Sequence, residues 1–162
     1  MPLGTEAAMD LILWRHADAT ADEQDLPDDL VRPLTAKGHK QARRMAEWLN
    51  LHMPASTKVL VSPAARTVET AEHLDRKFKT VPALAPDQGV EGLLHAARWP
   101  DGRDSVLVVG HQPQLGMCAA YLLAGAVEAW PIRKAGLWWL RHRERNGRAQ
   151  VVLQAVMAPD LI

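Results

Sequence analysis

The chain has 162 residues, 48% of them hydrophobic and 23% charged, and area scaling buries about 69% of the unfolded chain's surface, enough for one ordinary core without covalent staples. Lysine plus arginine equals aspartate plus glutamate at 19 each, so there is no net charge to hold a polyanion, and no nucleic-acid partner is expected. The lone cysteine, Cys118, excludes an internal disulfide and a thiolate zinc cluster.

Residues 1–8 read as a flexible N-terminal extension and residues 9–162 as one domain. No basic start precedes the apolar run at 11–14, and no stretch reaches about 18 uninterrupted apolar residues. Neither a signal peptide nor membrane association is expected, and the expected compartment is the cytoplasm. Residues 9–14 predict a short buried strand that ends at Arg15-His16. Residues 18–29 then carry six acids and no base, a solvated loop whose sharper reading is a gate toward a basic partner.

Thr35 fits an N-cap, and Ala42, Met45, Ala46 and Leu49 at i, i+3, i+4 and i+7 predict an amphipathic helix after it. Lys58 to Val61 predicts a second buried strand, and Ser62-Pro63 an N-cap with a first-turn proline opening a helix that buries Val68, Ala71 and Leu74. The chain is irregular from Val81-Pro82 to Gly92, and a short helix follows with Val90, Leu93, Leu94 and Ala97 on one face. Residues 105–109 predict a strand that stops at Gly110-His111. Pro113 opens another helix through about Leu123, with Gly125 as its terminator. Residues 137–142 and 149–156 flank Asn146-Gly147, a hairpin signal.

Strands alternating with helices predict a three-layer α/β/α sandwich with a mainly parallel central sheet. Ligands on such sheets sit beyond the carboxyl ends of the strands. Arg15-His16, Ser62-Pro63 with Arg66, and Gly110-His111 all lie there. Crowded cations repel unless an anion lies between them. Guanidinium forks match phosphate oxygens, and a neutral imidazole can accept a phosphoryl group. These residues predict a phosphate pocket containing a histidine nucleophile.

Four segments carry a family resemblance: LILWRHADA, RPLTAKG, VSPAARTVETA and VVGHQP. In this order and context they resemble the histidine phosphatase (phosphoglycerate mutase-like) superfamily, and the short chain with its RPLT element resembles the SixA-type phosphohistidine phosphatase branch. The resemblance implies that His16 is the nucleophile that becomes phosphorylated. It implies that Arg15 and Arg66 bind the phosphoryl oxygens, and that His111 binds the group and supports its charge. Arg32 of RPLT would add charge to the pocket rim. The implied chemistry is two in-line displacements, and neither metal nor organic cofactor is implied.

Two departures stand out. The family's usual Arg-His-Gly is Arg-His-Ala here, with Ala17, and the insertion from which larger relatives supply a glutamate acid is missing. Asp18, Asp87 and Glu91 are the nearby carboxylates, with Asp18 ranked first as the acid. An alkoxide leaving group needs a proton in the transition state, whereas an imidazole can leave protonated. A site without a dedicated acid, left open by the missing insertion, suits phosphohistidine displayed on a signalling or carrier protein. The alternatives are a small-molecule phosphomonoesterase and a non-catalytic phospho-binding module.

The remaining conspicuous residues have plainer readings. Arg133, Lys134, Arg141, Arg143, Arg145 and Arg148 stud a hairpin surface, with a docking patch as the minority reading. Trp130, Trp138 and Trp139 are packing residues. His39, His52, His73, His95 and His142 have no metal-ligand spacing, and Cys118 is core.

Overall fold

The structure, a computed structural model, describes residues 8–21 and 29–162. Its centre is a six-stranded sheet of β1 (Ala8–Arg15), β2 (Lys58–Val61), β3 (Lys79–Thr80), β4 (Val106–Gly110), β5 (Leu137–Arg145) and β6 (Arg148–Met157), in the order β3-β2-β4-β1-β5-β6. The pairs β1–β4, β2–β4 and β2–β3 are parallel, while β1–β5 and β5–β6 are antiparallel. Four helices cover the sheet: α1 (Ala36–His52), α2 (Ala65–Glu72), α3 (Val90–Ala96) and α4 (Gln114–Ala124). The expected α/β architecture with a mainly parallel sheet is what forms.

Side chains alternate across a strand, so β1 feeds two cores. Ile12 and Trp14 pack with Ala42, Met45 and Leu49 of α1 and Ala71 of α2. Leu11 and Leu13 pack on the other side with Leu93 of α3 and Leu115, Cys118 and Ala119 of α4. Burial on both faces explains why β1 and β4 read as continuous apolar runs rather than alternating ones. Cys118 is fully buried, and that burial pushes its thiol up to about 12.

The start of α1 follows the sequence signal: the Thr35 hydroxyl accepts from the Gly38 N–H at 3.0 Å. Gly38 itself answers a close approach, since a Cβ there would meet the Asp18 carbonyl. Gly125 ends α4 in the left-handed region at φ 64°, and Asn146-Gly147 turns the hairpin at φ 53° and 76°.

Several boundaries differ from expectation. The α2 helix starts at Ala65 with Ala64 as its cap, while the Ser62 hydroxyl accepts from the Ala64 N–H at 3.3 Å one step earlier, and Leu74 is buried just beyond the helix end. The two-residue β3 strand lay in a stretch too short and polar to signal itself. β1 starts at Ala8, which pairs with Arg143, and residues 1–7 of the expected extension lie outside the described residues. Most of the acidic loop, residues 22–28, also lies outside them. No helix among the described residues is long and apolar enough to cross a membrane.

Candidate active site

Register brings the motifs together. Arg15, the last residue of β1, lies opposite Gly110, the last residue of β4. The His16 N–H donates to the Gly110 carbonyl at 3.1 Å, and the Ser62 N–H donates to the Val109 carbonyl at 3.0 Å. Chain segments that leave three adjacent parallel strands therefore start side by side, and the His16 and His111 rings come within 5.4 Å, centroid to centroid. A pocket of about 260 Å³ opens there, with Arg15, His16, Arg32, Arg66, His111 and Lys134 supplying its basic lining.

The four residues singled out at strand ends are all in this wall. His16 is 8% exposed, Arg66 4% and His111 4%, so the site is built from buried polar groups. His16 Nδ1 lies 2.7 Å from the Ala17 carbonyl. A carbonyl can only accept, so Nδ1 carries the proton and the neutral ring keeps its lone pair on Nε2. Burial, then the neighbouring Arg66, Arg15 and Arg32, holds His16 down to about 4 against its hydrogen bond to Ala17, so the ring is neutral near pH 7. Burial, with Arg66 and His16 beside it, likewise holds His111 down to about 3.

The arginines are held from behind. Arg15 Nη1 donates to the Ile132 carbonyl at 2.8 Å. Arg66 Nη1 donates to the Asp29 carbonyl at 2.8 Å and its Nη2 to the Asp29 carboxylate at 2.9 Å. The same carboxylate receives Arg32 Nε at 2.8 Å, while Arg32 Nη1 reaches the Thr20 carbonyl at 2.8 Å. Arg32 thus both pairs with an acid and lines the pocket. Burial alone would raise the Asp29 carboxyl, but its bonds to Arg66 and Arg32 outweigh that and hold it below the usual carboxylate range.

Of the six buried side-chain atoms without a partner among the described residues, three are nitrogens at this pocket: Arg15 Nε, Arg66 Nε and His111 Nδ1. Each belongs to a pocket-lining residue, and leaving such groups unpaired costs about 1–3 kcal/mol apiece, more for charged ones. Two guanidinium groups and an imidazole around one pocket suit an anion with several acceptor oxygens. A tetrahedral oxyanion has the right charge and number of lone pairs.

The carboxylates fall differently from the sequence ranking. Asp18 is not among the pocket-lining residues: Lys134 Nζ holds one of its oxygens at 2.7 Å and the Thr35 hydroxyl donates to the other at 2.7 Å. Those two bonds, Lys134 first, hold its carboxyl below the usual range, the wrong direction for an acid that must carry a proton near pH 7. Asp87 does line the pocket, at a left-handed φ of 76° unusual for a residue with a side chain. Glu91 sits in the first turn of α3 and does not line it.

Three contributors were read otherwise in the sequence. Lys134 was placed among hairpin surface bases, but it lies just before β5 and reaches the pocket. Asp29 was one acid of the loop; its spacing of three residues before Arg32 was the available signal. Ser62, read as a helix cap, lies with its hydroxyl 2.7 Å from His111 Nε2. Among the described residues, no group of three or more His, Cys, Asp or Glu side chains could hold a metal ion.

The profile of the histidine phosphatase superfamily (branch 1) matches residues 11–88. The chain belongs to the histidine phosphatase superfamily, and it is a hydrolase of the phosphatase class. It is 35% identical over 125 residues to phosphohistidine phosphatase SixA of Escherichia coli (strain K12), covering 72% of this chain and 76% of that protein. It is 29% identical over 149 residues to a SixA homolog of Haemophilus influenzae, covering 81% and 88%. The structure of the protein histidine phosphatase SixA complexed with tungstate superposes with a TM-score of 0.75 at 29% identity, covering 94% of this chain and 99% of that one.

Proposed function

We propose that the protein removes phosphate from phosphohistidine on a protein, through a phosphoryl group carried transiently on His16. The observation that carries this reading is the pairing of a neutral His16, its Nε2 lone pair unencumbered, with three unpartnered buried nitrogens on Arg15, Arg66 and His111. The relatives named phosphohistidine phosphatase, and the tungstate held by one of them, support the same pocket chemistry.

In the first displacement His16 Nε2 forms a bond to phosphorus as the substrate's P–N bond breaks. An imidazole already protonated on its other ring nitrogen leaves as a neutral ring. In the second, a water oxygen attacks phosphorus, the Nε2–P bond breaks, the water's proton is released, and phosphate departs. Arg15, Arg66 and His111 hold the phosphoryl oxygens through both steps, with Arg32 and Lys134 adding positive charge at the rim. Positioned donors thereby stabilise the charge on the transferring group. Asp18 has no part in this scheme.

The pocket-lining Asp87 favours a second reading, a small phosphomonoester hydrolysed with Asp87 as the acid. Wild type and His16→Ala are compared on a phosphohistidine-bearing carrier protein and on an alkyl phosphate, with acid-labile phosphate on the wild-type enzyme trapped during turnover. Release from the carrier by wild type alone, with label on His16, supports the proposal. Faster turnover of the alkyl phosphate favours the second reading, and binding of phosphate without turnover of either substrate defeats both.

A further inference from the structure

Ser62 lies in the VSPAARTVETA segment four residues before Arg66. The serine is fully buried, with 0% of its surface exposed. Its Oγ accepts from the Ala64 N–H at 3.3 Å and lies 2.7 Å from His111 Nε2. A hydroxyl has one proton to give, and a buried O–H without an acceptor is costly. Among the described residues, His111 Nε2 is the acceptor within reach of that proton.

If Ser62 donates to Nε2, Nε2 carries the lone pair, and the proton of the neutral ring resides on Nδ1. The opposite tautomer strands two groups at once. The hydroxyl proton of Ser62 then has no acceptor, and the lone pair on the buried Nδ1 repels the oxygens of a bound anion. His111 Nδ1 is one of the three buried atoms of pocket-lining residues with no partner among the described residues. A proton there makes it a donor, and a neutral imidazole can bind a phosphoryl oxygen only through such a proton.

We propose that Ser62 is a positioning residue: its O–H···Nε2 bond fixes His111 as the Nδ1–H tautomer, so that a neutral His111 donates to the phosphoryl group. Two second-layer bonds then hold the same tautomer on both rings with opposite results. The Ala17 carbonyl accepts from Nδ1 of His16 and leaves the lone pair on Nε2 for attack. The Ser62 hydroxyl donates to Nε2 of His111 and leaves the proton on Nδ1 for binding. One histidine gives electrons and the other a proton, without either having to be charged.

This inference rests on the phosphoryl-pocket reading, and its tests require no turnover. Long-range ¹H–¹⁵N correlation spectra of the uniformly ¹⁵N-labelled, ligand-free wild type at pH 7 report each ring's tautomer, with His111 assigned by difference from His111→Gln. The expected spectrum has His111 protonated on Nδ1; a protonated Nε2 overturns the proposal without any variant having to fold. Ser62→Ala is expected to weaken vanadate affinity about tenfold and to return His111 to a tautomer mixture, while Ser62→Thr, which keeps the hydroxyl, retains the wild-type tautomer. Unchanged vanadate affinity in a folded Ser62→Ala protein overturns it as well. If the wild type binds vanadate with the expected tautomer yet leaves phosphohistidine untouched, the substrate reading fails and the Ser62 assignment stands. If the wild type binds no vanadate, both fall.

Discussion

Arg66 and Asp29 are joined at two points, guanidinium Nη1 to the backbone carbonyl at 2.8 Å and Nη2 to the carboxylate at 2.9 Å, and the carboxylate also holds Arg32. A negative charge thus stands behind the cations that face the pocket. It offsets their repulsion when no anion is bound and lowers the potential the anion feels when one is.

Asp29→Asn separates those effects. The backbone carbonyl still orients Arg66, but the compensating charge is gone. The variant is expected to lose about 1 kcal/mol of stability in anion-free buffer and to bind vanadate about three- to tenfold more tightly at low ionic strength. Thermal melts with and without vanadate measure both quantities. A variant as stable as wild type, with unchanged vanadate affinity, would remove Asp29 from this role.

The buried histidines set a pH dependence of stability. Unfolded, His16 and His111 titrate near the ordinary 6.5; folded, they are held at about 4 and about 3. The unfolded chain therefore binds more protons between these values, so stability is highest above pH 6.5 and is lost as pH falls toward 4 for His16 and toward 3 for His111. Linkage gives up to about 2 kcal/mol for each ring at pH 5. Denaturant melts from pH 7 to 4.5 should show this fall, and His111→Gln should flatten it. An unchanged slope in that variant would mean His111 does not titrate with folding.

Removing the side chains that face the pocket should cost function rather than fold. His16→Ala is expected to abolish turnover and the acid-labile phosphoenzyme while the far-ultraviolet circular dichroism stays native. Arg66→Ala should weaken vanadate binding at least tenfold, a charge-assisted bond being worth about 1.5–3 kcal/mol. Substantial turnover by the first variant, or wild-type affinity in the second, would displace the residue concerned from the chemistry.

Asp18 and Asp87 are separated by one comparison. Asp18→Asn removes an ion pair with Lys134 at 2.7 Å outside the pocket wall and should leave the ratio of alkyl phosphate to phosphohistidine hydrolysis as in wild type. Under the phosphohistidine reading Asp87→Asn also leaves that ratio unchanged. A selective loss of alkyl phosphate turnover in Asp87→Asn would establish it as an acid for esters.

The sequence carried the parts of this arrangement that depend on local chemistry. Apolar runs mark β1 and β4 because both faces of those strands are buried, and Arg15, His16 and His111 at strand ends and Arg66 at a helix start stand where a polar residue is conspicuous. What was hidden depends on distance in space. Nothing local to Ser62 distinguishes a helix cap from a partner for a ring 49 residues away, and nothing local to Asp29 points to Arg66, 37 residues further on. Asp18 was ranked as the acid because it lies two residues from His16, but successive residues diverge once the strand ends, and its side chain turns to Lys134 and Thr35.

The alignment of Arg15 with Gly110 makes the pocket a reading of strand phase. Side chains in a strand alternate faces, and each step advances about 3.3 Å, so a one-residue deletion within β4 would carry His111 out of reach of both His16 and Ser62 at once. Length changes between Glu72 and Val90 touch neither phase, since that stretch joins the sheet at its edge, through Lys79 and Thr80 against Leu60 and Val61 and through the Val81 N–H on the Val61 carbonyl. The strand register that holds a phosphoryl group is therefore set apart from the segment that brings Pro86 and Asp87 to the pocket, so that wall can change while the phosphoryl clamp stays in register.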